Sequence, residues 1–112
     1  MRNLIYIIGI TLLLAACGQQ QRAKSVVKDF VAQQLKQDVS YLDFSDVDST
    51  RAISDSLIDV LQQQAGKEVT FQKRTTLTLW YSRAKYLLDK DTLSTTFYLD
   101  PQLTGVVACK QN

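Results

Sequence analysis

The chain contains no histidine. That removes the commonest general base and the commonest zinc ligand, and with them serine–histidine and cysteine–histidine mechanisms. Carboxylates and two thiols remain. Asp43, Asp46 and Asp48 cluster in sequence, and paired carboxylates are the minimum for acid–base work. They precede a helical pattern, however, where caps and solvated acids are expected. Asp46-Val47-Asp48-Ser49-Thr50-Arg51 also begins like a calcium loop, with oxygen ligands at alternate positions. An EF-hand needs glycine at the sixth position and a bidentate acid at the twelfth; these are Arg51 and Leu57, so the motif fails. Asp89-Lys90-Asp91 reads as a hairpin turn. The reading is no catalytic residue, no metal and no cofactor. Cys109, in the apolar run Thr104-Gly105-Val106-Val107-Ala108-Cys109-Lys110, is expected as a buried structural cysteine with no activating cation beyond Lys110.

The other thiol has a different context. Met1-Arg2-Asn3 carries one positive charge and leads into an apolar run from Leu4 to Leu14, shorter than the roughly 20 residues a membrane-crossing helix requires. It ends in Ala15-Ala16-Cys17 and a polar stretch, the pattern of a signal-peptide core with small residues before a cleavage point. Leu14-Ala15-Ala16-Cys17 resembles the lipobox of bacterial lipoproteins. The resemblance implies that the Cys17 thiol receives a diacylglyceryl group, that Leu14, Ala15 and Ala16 are the recognition residues, and that cleavage frees an amine for further acylation. With two or more chains the membrane attachment is stable, since each buried methylene contributes about 0.8 kcal/mol. Gly18 follows the cysteine where an aspartate would favour retention in the inner membrane, so the resemblance implies an outer-membrane address.

The expected organisation is a signal peptide over 1–16, a lipid attachment and short tether over 17–22, and one globular domain over 23–112. Of the 112 residues, 46% are hydrophobic and 21% charged, ordinary values for a folded chain. A domain of this size buries enough surface to stand without disulfides or a metal. Without Arg2 the balance is 12 basic against 11 acidic side chains. No dense basic stripe exists to release counterions from a phosphate backbone, which argues against nucleic acid as a partner.

Within the domain, Ala23, Val27, Phe30, Val31 and Leu35 recur near helical spacing and predict a first helix to about Gln37. Residues 38–44 alternate as a short strand. Ser45 to Thr50 offers N-caps for a second helix with Ile53, Leu57, Val60 and Leu61 on its apolar side and Gly66 at its C-cap. Val69 to Phe71 and then Thr75 to Leu88 are strand formers. In the long run Trp80, Ser82, Ala84, Tyr86 and Leu88 share one face and Leu77, Leu79, Tyr81, Arg83 and Lys85 the other; apolar preference switches face near residue 80, suggesting a bulge or strong twist. Strands over 92–99 and 103–110 complete an antiparallel meander. The aromatics Trp80, Tyr81, Tyr86, Phe97 and Tyr98 are expected in the core, and Arg83, Lys85 and Lys90 on a solvated strand edge. The fold class is α+β, with two helices and a three- to four-stranded antiparallel sheet.

The leader, Val39-Ser40-Tyr41, Phe44-Ser45-Asp46-Val47-Asp48-Ser49, Tyr81-Ser82-Arg83-Ala84-Lys85 and Thr96-Phe97-Tyr98-Leu99-Asp100 together resemble small Bacteroidota lipoproteins of unknown function. Where those carry a glycine-rich turn, this chain has Tyr86-Leu87-Leu88-Asp89-Lys90-Asp91. The resemblance implies a cystatin-like or nuclear-transport-factor-like domain, with a helix across a concave sheet. It also implies a periplasm-facing position, because acidic residues associated with surface export are missing after Cys17. Such scaffolds host many functions. The expected function is a non-catalytic, lipid-anchored envelope protein with a protein, peptide or small ligand as partner; the alternative is a structural accessory subunit of an envelope complex.

Overall fold

The computed structural model describes the backbone of residues 2–112 and the side chains of residues 18–112. Two helices and five strands follow in the order α1 (Arg2–Gln33), β1 (Ser40–Phe44), β2 (Asp48–Thr50), α2 (Asp55–Ala65), β3 (Leu79–Leu88), β4 (Asp91–Leu99) and β5 (Val106–Gln111). The fold is α+β with one antiparallel sheet in the order β1-β3-β4-β5, and β2 pairs with β3 beyond the end of β1. β1 and β2 therefore share one outer lane, and β3 is central. Arg83 and Lys85 accordingly lie on the face of a paired strand, not on an edge as expected from sequence.

The face switch in β3 has a simpler cause than a bulge. Its pairing with β4 is unbroken from Trp80↔Leu99 to Leu88↔Asp91. The irregularities lie elsewhere, between Tyr41 and Asp43 in β1 and at Tyr98/Leu99 in the β4–β5 ladder. Instead, each sheet face carries its own helix. α1 buries Ala23, Val27, Phe30 and Val31, one stripe at helical spacing, against Ala84, Tyr86, Phe97, Leu99 and Val106. α2 buries Ile58 and Leu61 against Leu79, Val107 and Ala108 on the opposite face, where only one end of the sheet is covered. Leu79 and Tyr86 are both buried because they serve different cores.

α2 starts later than Ser45–Thr50 suggests. Ser54 is its N-cap, its hydroxyl accepting from Leu57 N at 3.1 Å, and Gly66 closes it at φ 103°. Its buried stripe is Ile58 and Leu61, whereas Leu57 and Val60, expected inward, are exposed. Part of the supposed cap region is instead β2, with Asp48–Thr50 paired to Tyr81–Leu79.

Residues 69–78 contain no strand. Arg74 organises that loop: its guanidinium donates to Thr76 O at 2.8 Å, Leu77 O at 2.6 Å and the Ile53 carbonyl, and pairs with Asp55 at 3.3 Å. Five donors in a planar fork suit such a role. The expected strand start at Leu103 is also a loop. Asp100 is buried, and its carboxylate accepts from Thr104 N at 2.8 Å, Gly105 N at 2.8 Å and Thr104 Oγ1 at 2.6 Å. Those bonds hold 101–105 off the ladder, with Leu103 left-handed at φ 55°. The β3–β4 turn needs no glycine because Asp89 takes the left-handed position at φ 56°.

Candidate binding face

Beside α2, running from Tyr98 at the margin of its cluster onto the half of the sheet that α2 leaves uncovered, strand alternation and register build a small ladder. Tyr81 of β3 lies directly opposite Tyr98 of β4, Arg83 opposite Thr96, and Thr96 opposite Lys110 of β5. The two rings have centroids 6.4 Å apart at 48°. Both tyrosines are half-buried, and Arg83 and Lys110 are exposed with no ion pair among the described residues. Asn112 fixes the floor: its amide donates to Thr96 Oγ1 at 3.1 Å, and its backbone N–H to Ser94 O at 2.7 Å. Burial raises the Tyr98 phenol, helped by neighbouring Tyr81 and opposed by Arg83. The hydroxyl therefore stays protonated as a donor at neutral pH.

Two shallow depressions meet on this ladder and share Tyr81, Arg83 and Thr96. One, about 210 Å³, extends over Tyr98 and Lys110. The other, about 330 Å³, extends to Asp46, Val47 and Asp48 beside β2. Phenols and cations flank one side and carboxylates the other, a set that hydrogen-bonds polar groups and stacks on planar ones. At the far end of α1 a separate groove of about 310 Å³ runs over Phe30 and Phe71 beside Gln72 and Gly105. There the Gln72 amide lies so close to Gly105 that a β-carbon would collide with its Oε1, so only glycine fits the present arrangement.

The sequence-derived site residues Leu14, Ala15, Ala16 and Cys17 lie outside the residues whose side chains are described. Asp43, Asp46 and Asp48 are exposed and spread over β1, the link and β2, with Asp48 occupied by Ser49 N at 2.8 Å. Among the described residues no three acidic or cysteine side chains converge on a common point. Cys109 is half-buried beside Phe97, not fully buried, and burial pushes its thiol up to about 11. It is therefore a thiol at neutral pH and a poor nucleophile. The aromatic group divides: Tyr86 and Phe97 are core, with the Tyr86 hydroxyl on Thr95 Oγ1 at 2.8 Å, while Tyr81 and Tyr98 form the open ladder.

Sequence reasoning missed Gln20. Gly18 to Arg22, expected as a tether, is helical, and Gln20 reaches the β1–β2 link. Its Nε2 donates to Ser45 O at 3.1 Å, and its Oε1 accepts from Val47 N at 3.0 Å. One amide thus satisfies a donor and an acceptor of the same link, as a neighbouring strand would. Lys24 and Lys28 follow on α1 over the stacked rings of Phe44 and Tyr41, at 5.7 and 5.5 Å. Compared with family models, curated proteins and solved structures, the chain matches none.

Proposed function

We infer that this chain is a lipid-anchored protein of the bacterial cell envelope, acylated at Cys17 and held at the outer membrane facing the periplasm, whose domain is a non-catalytic binding module. The address is supported by the apolar leader ending in Leu14-Ala15-Ala16-Cys17. A helix followed by an antiparallel sheet that it crosses is also consistent with the cystatin-like or nuclear-transport-factor-like arrangement and with kinship to small Bacteroidota lipoproteins.

The observation that carries the binding reading is the half-covered sheet face. Tyr81, Arg83, Tyr98 and Lys110 stand side by side on the adjacent strands β3, β4 and β5, with no ion pair to engage the cations among the described residues. Tyrosine and arginine are the residues that most often anchor partners. The ligand class is a peptide segment or small molecule with an anionic or carbonyl-rich edge and a planar group. Affinity purification of the lipidated chain from its own membrane, beside Cys17→Ser and Tyr81→Ala/Arg83→Ala, tests both parts. The partner should be recovered with wild type and lost with the double variant; equal recovery with both would sink the assignment of this face.

The accessory-subunit reading has one observation in its favour. Leu57 and Val60 form an exposed apolar pair on the outward side of α2, 38% and 48% accessible. Crosslinking in native membranes through α2 would favour this reading; crosslinking through Tyr98 would favour the first.

A further inference from the structure

The Gln20 clamp has consequences for how the domain stands on a membrane, if Cys17 is acylated as inferred above. Gln20 is three positions after Cys17, a reach of at most about 11 Å whatever the conformation between them. Gln20 is hydrogen-bonded to Ser45 and Val47, so the β1–β2 link is held close to the lipid. Past Gln20 the chain continues as α1 to Gln33, about 20 Å further along the helix. The outward side of α1 bears Gln21, Arg22, Ser25, Lys28, Asp29, and Gln33, all exposed. It has no apolar stripe with which to lie in the interface. Near the clamp the reverse holds: the β1 bulge leaves Leu42, three residues from Ser45, 53% accessible. Charge around the link is of both signs, with Lys24, Lys28, Arg83 and Lys85 beside Asp43, Asp46 and Asp48, so the orientation is assigned to the short lipid tether and the clamp rather than to charge.

We propose that the β1–β2 link is the membrane-apposed surface of the domain, and that Gln20 locks this orientation. The lipid surface is met by Leu42 and residues 45–48, and the depression over Arg83 and Asp46 opens beside the headgroup layer. The C-terminal end of α1 and the groove at Phe71 and Gly105 face away from the bilayer.

The test uses the lipidated full-length chain carrying Cys109→Ala and a single fluorophore on either Asp46→Cys or Gln33→Cys. The chain is reconstituted in vesicles of phosphatidylethanolamine and phosphatidylglycerol containing a headgroup-nitroxide lipid. Quenching at position 46 is expected to exceed that at 33 several-fold. Gln20→Ala should bring the ratio towards one while leaving the circular dichroism spectrum and flotation with vesicles unchanged. Gln20→Glu, which keeps the acceptor for Val47 but loses the donor to Ser45, should fall between. The wild-type ratio should not change with added salt or phosphatidylglycerol content. Equal quenching at both positions in wild type, a ratio unmoved by Gln20→Ala, or a ratio that collapses in salt would each overturn the proposal. Failure of the wild-type chain to float would instead overturn the lipid anchor on which it rests.

Discussion

Asp100→Ala should be among the most damaging single changes in the domain, and its effect should depend on pH. The carboxylate accepts three hydrogen bonds in the 101–105 loop, and Asp100 is only 3% exposed. Bonds to a charged acceptor contribute about 1.5–3 kcal/mol each, and truncation leaves the Thr104 and Gly105 amides without their partner. Thr104 is exposed, so water replaces part of the loss, and the expected cost is about 2–4 kcal/mol. For a domain of this size that lowers Tm by roughly 10–25 °C. Asp100→Asn keeps one oxygen for the two amides but loses the charge, and should cost about 1–2 kcal/mol.

Burial by itself would raise the Asp100 pKa, but the bonds from the Thr104 hydroxyl and from the Gly105 and Thr104 amides outweigh it, and the net shift is downward. Below the ordinary carboxylate value of about 3.9 the unfolded chain binds a proton that the folded chain still refuses, so stability falls as pH falls. The contribution is complete above that value and lost as pH drops through the lower folded pKa. Urea unfolding of the full-length chain followed by circular dichroism, at neutral pH and below pH of about 4, measures it. The gap between wild type and Asp100→Asn should narrow on the acid side. A gap that stayed constant, or an Asp100→Ala cost below about 0.5 kcal/mol, would refute the reasoning.

Arg74→Lys should cost about 1–3 kcal/mol in the same assay although the charge is kept, because an ammonium cannot replace a fork that spans Ile53, Thr76 and Leu77. Phe97→Ala empties a fully buried site between α1 and the sheet and should cost about 3–5 kcal/mol. Cys109, measured in Cys17→Ser to leave one thiol, should react with iodoacetamide slowly at neutral pH, accelerating only as pH approaches about 11, whereas the urea-unfolded chain should react far faster at neutral pH. Gly105→Ala should displace the Gln72 side chain and break its 2.9 Å bond to Thr104 Oγ1, costing about 1 kcal/mol.

The sequence alone carried the two helices and the three-stranded meander, because each is written in neighbouring residues: a helical stripe from Ala23 to Val31, a two-residue alternation along β3. Alternation distinguishes two faces but not what covers them. Only tertiary packing decided that both faces of β3 are used, that Arg83 stands on an open face of a central strand, and that Tyr81 and Tyr98 part company with Tyr86 and Phe97. The remaining features escaped for a related reason. Gln20 meets Ser45 and Val47 across 25 and 27 residues, and Arg74 meets Ile53 across 21. Single polar side chains that satisfy distant backbone groups leave no periodic trace, so a stretch such as Gly18 to Arg22 reads as a tether until the fold supplies its partners.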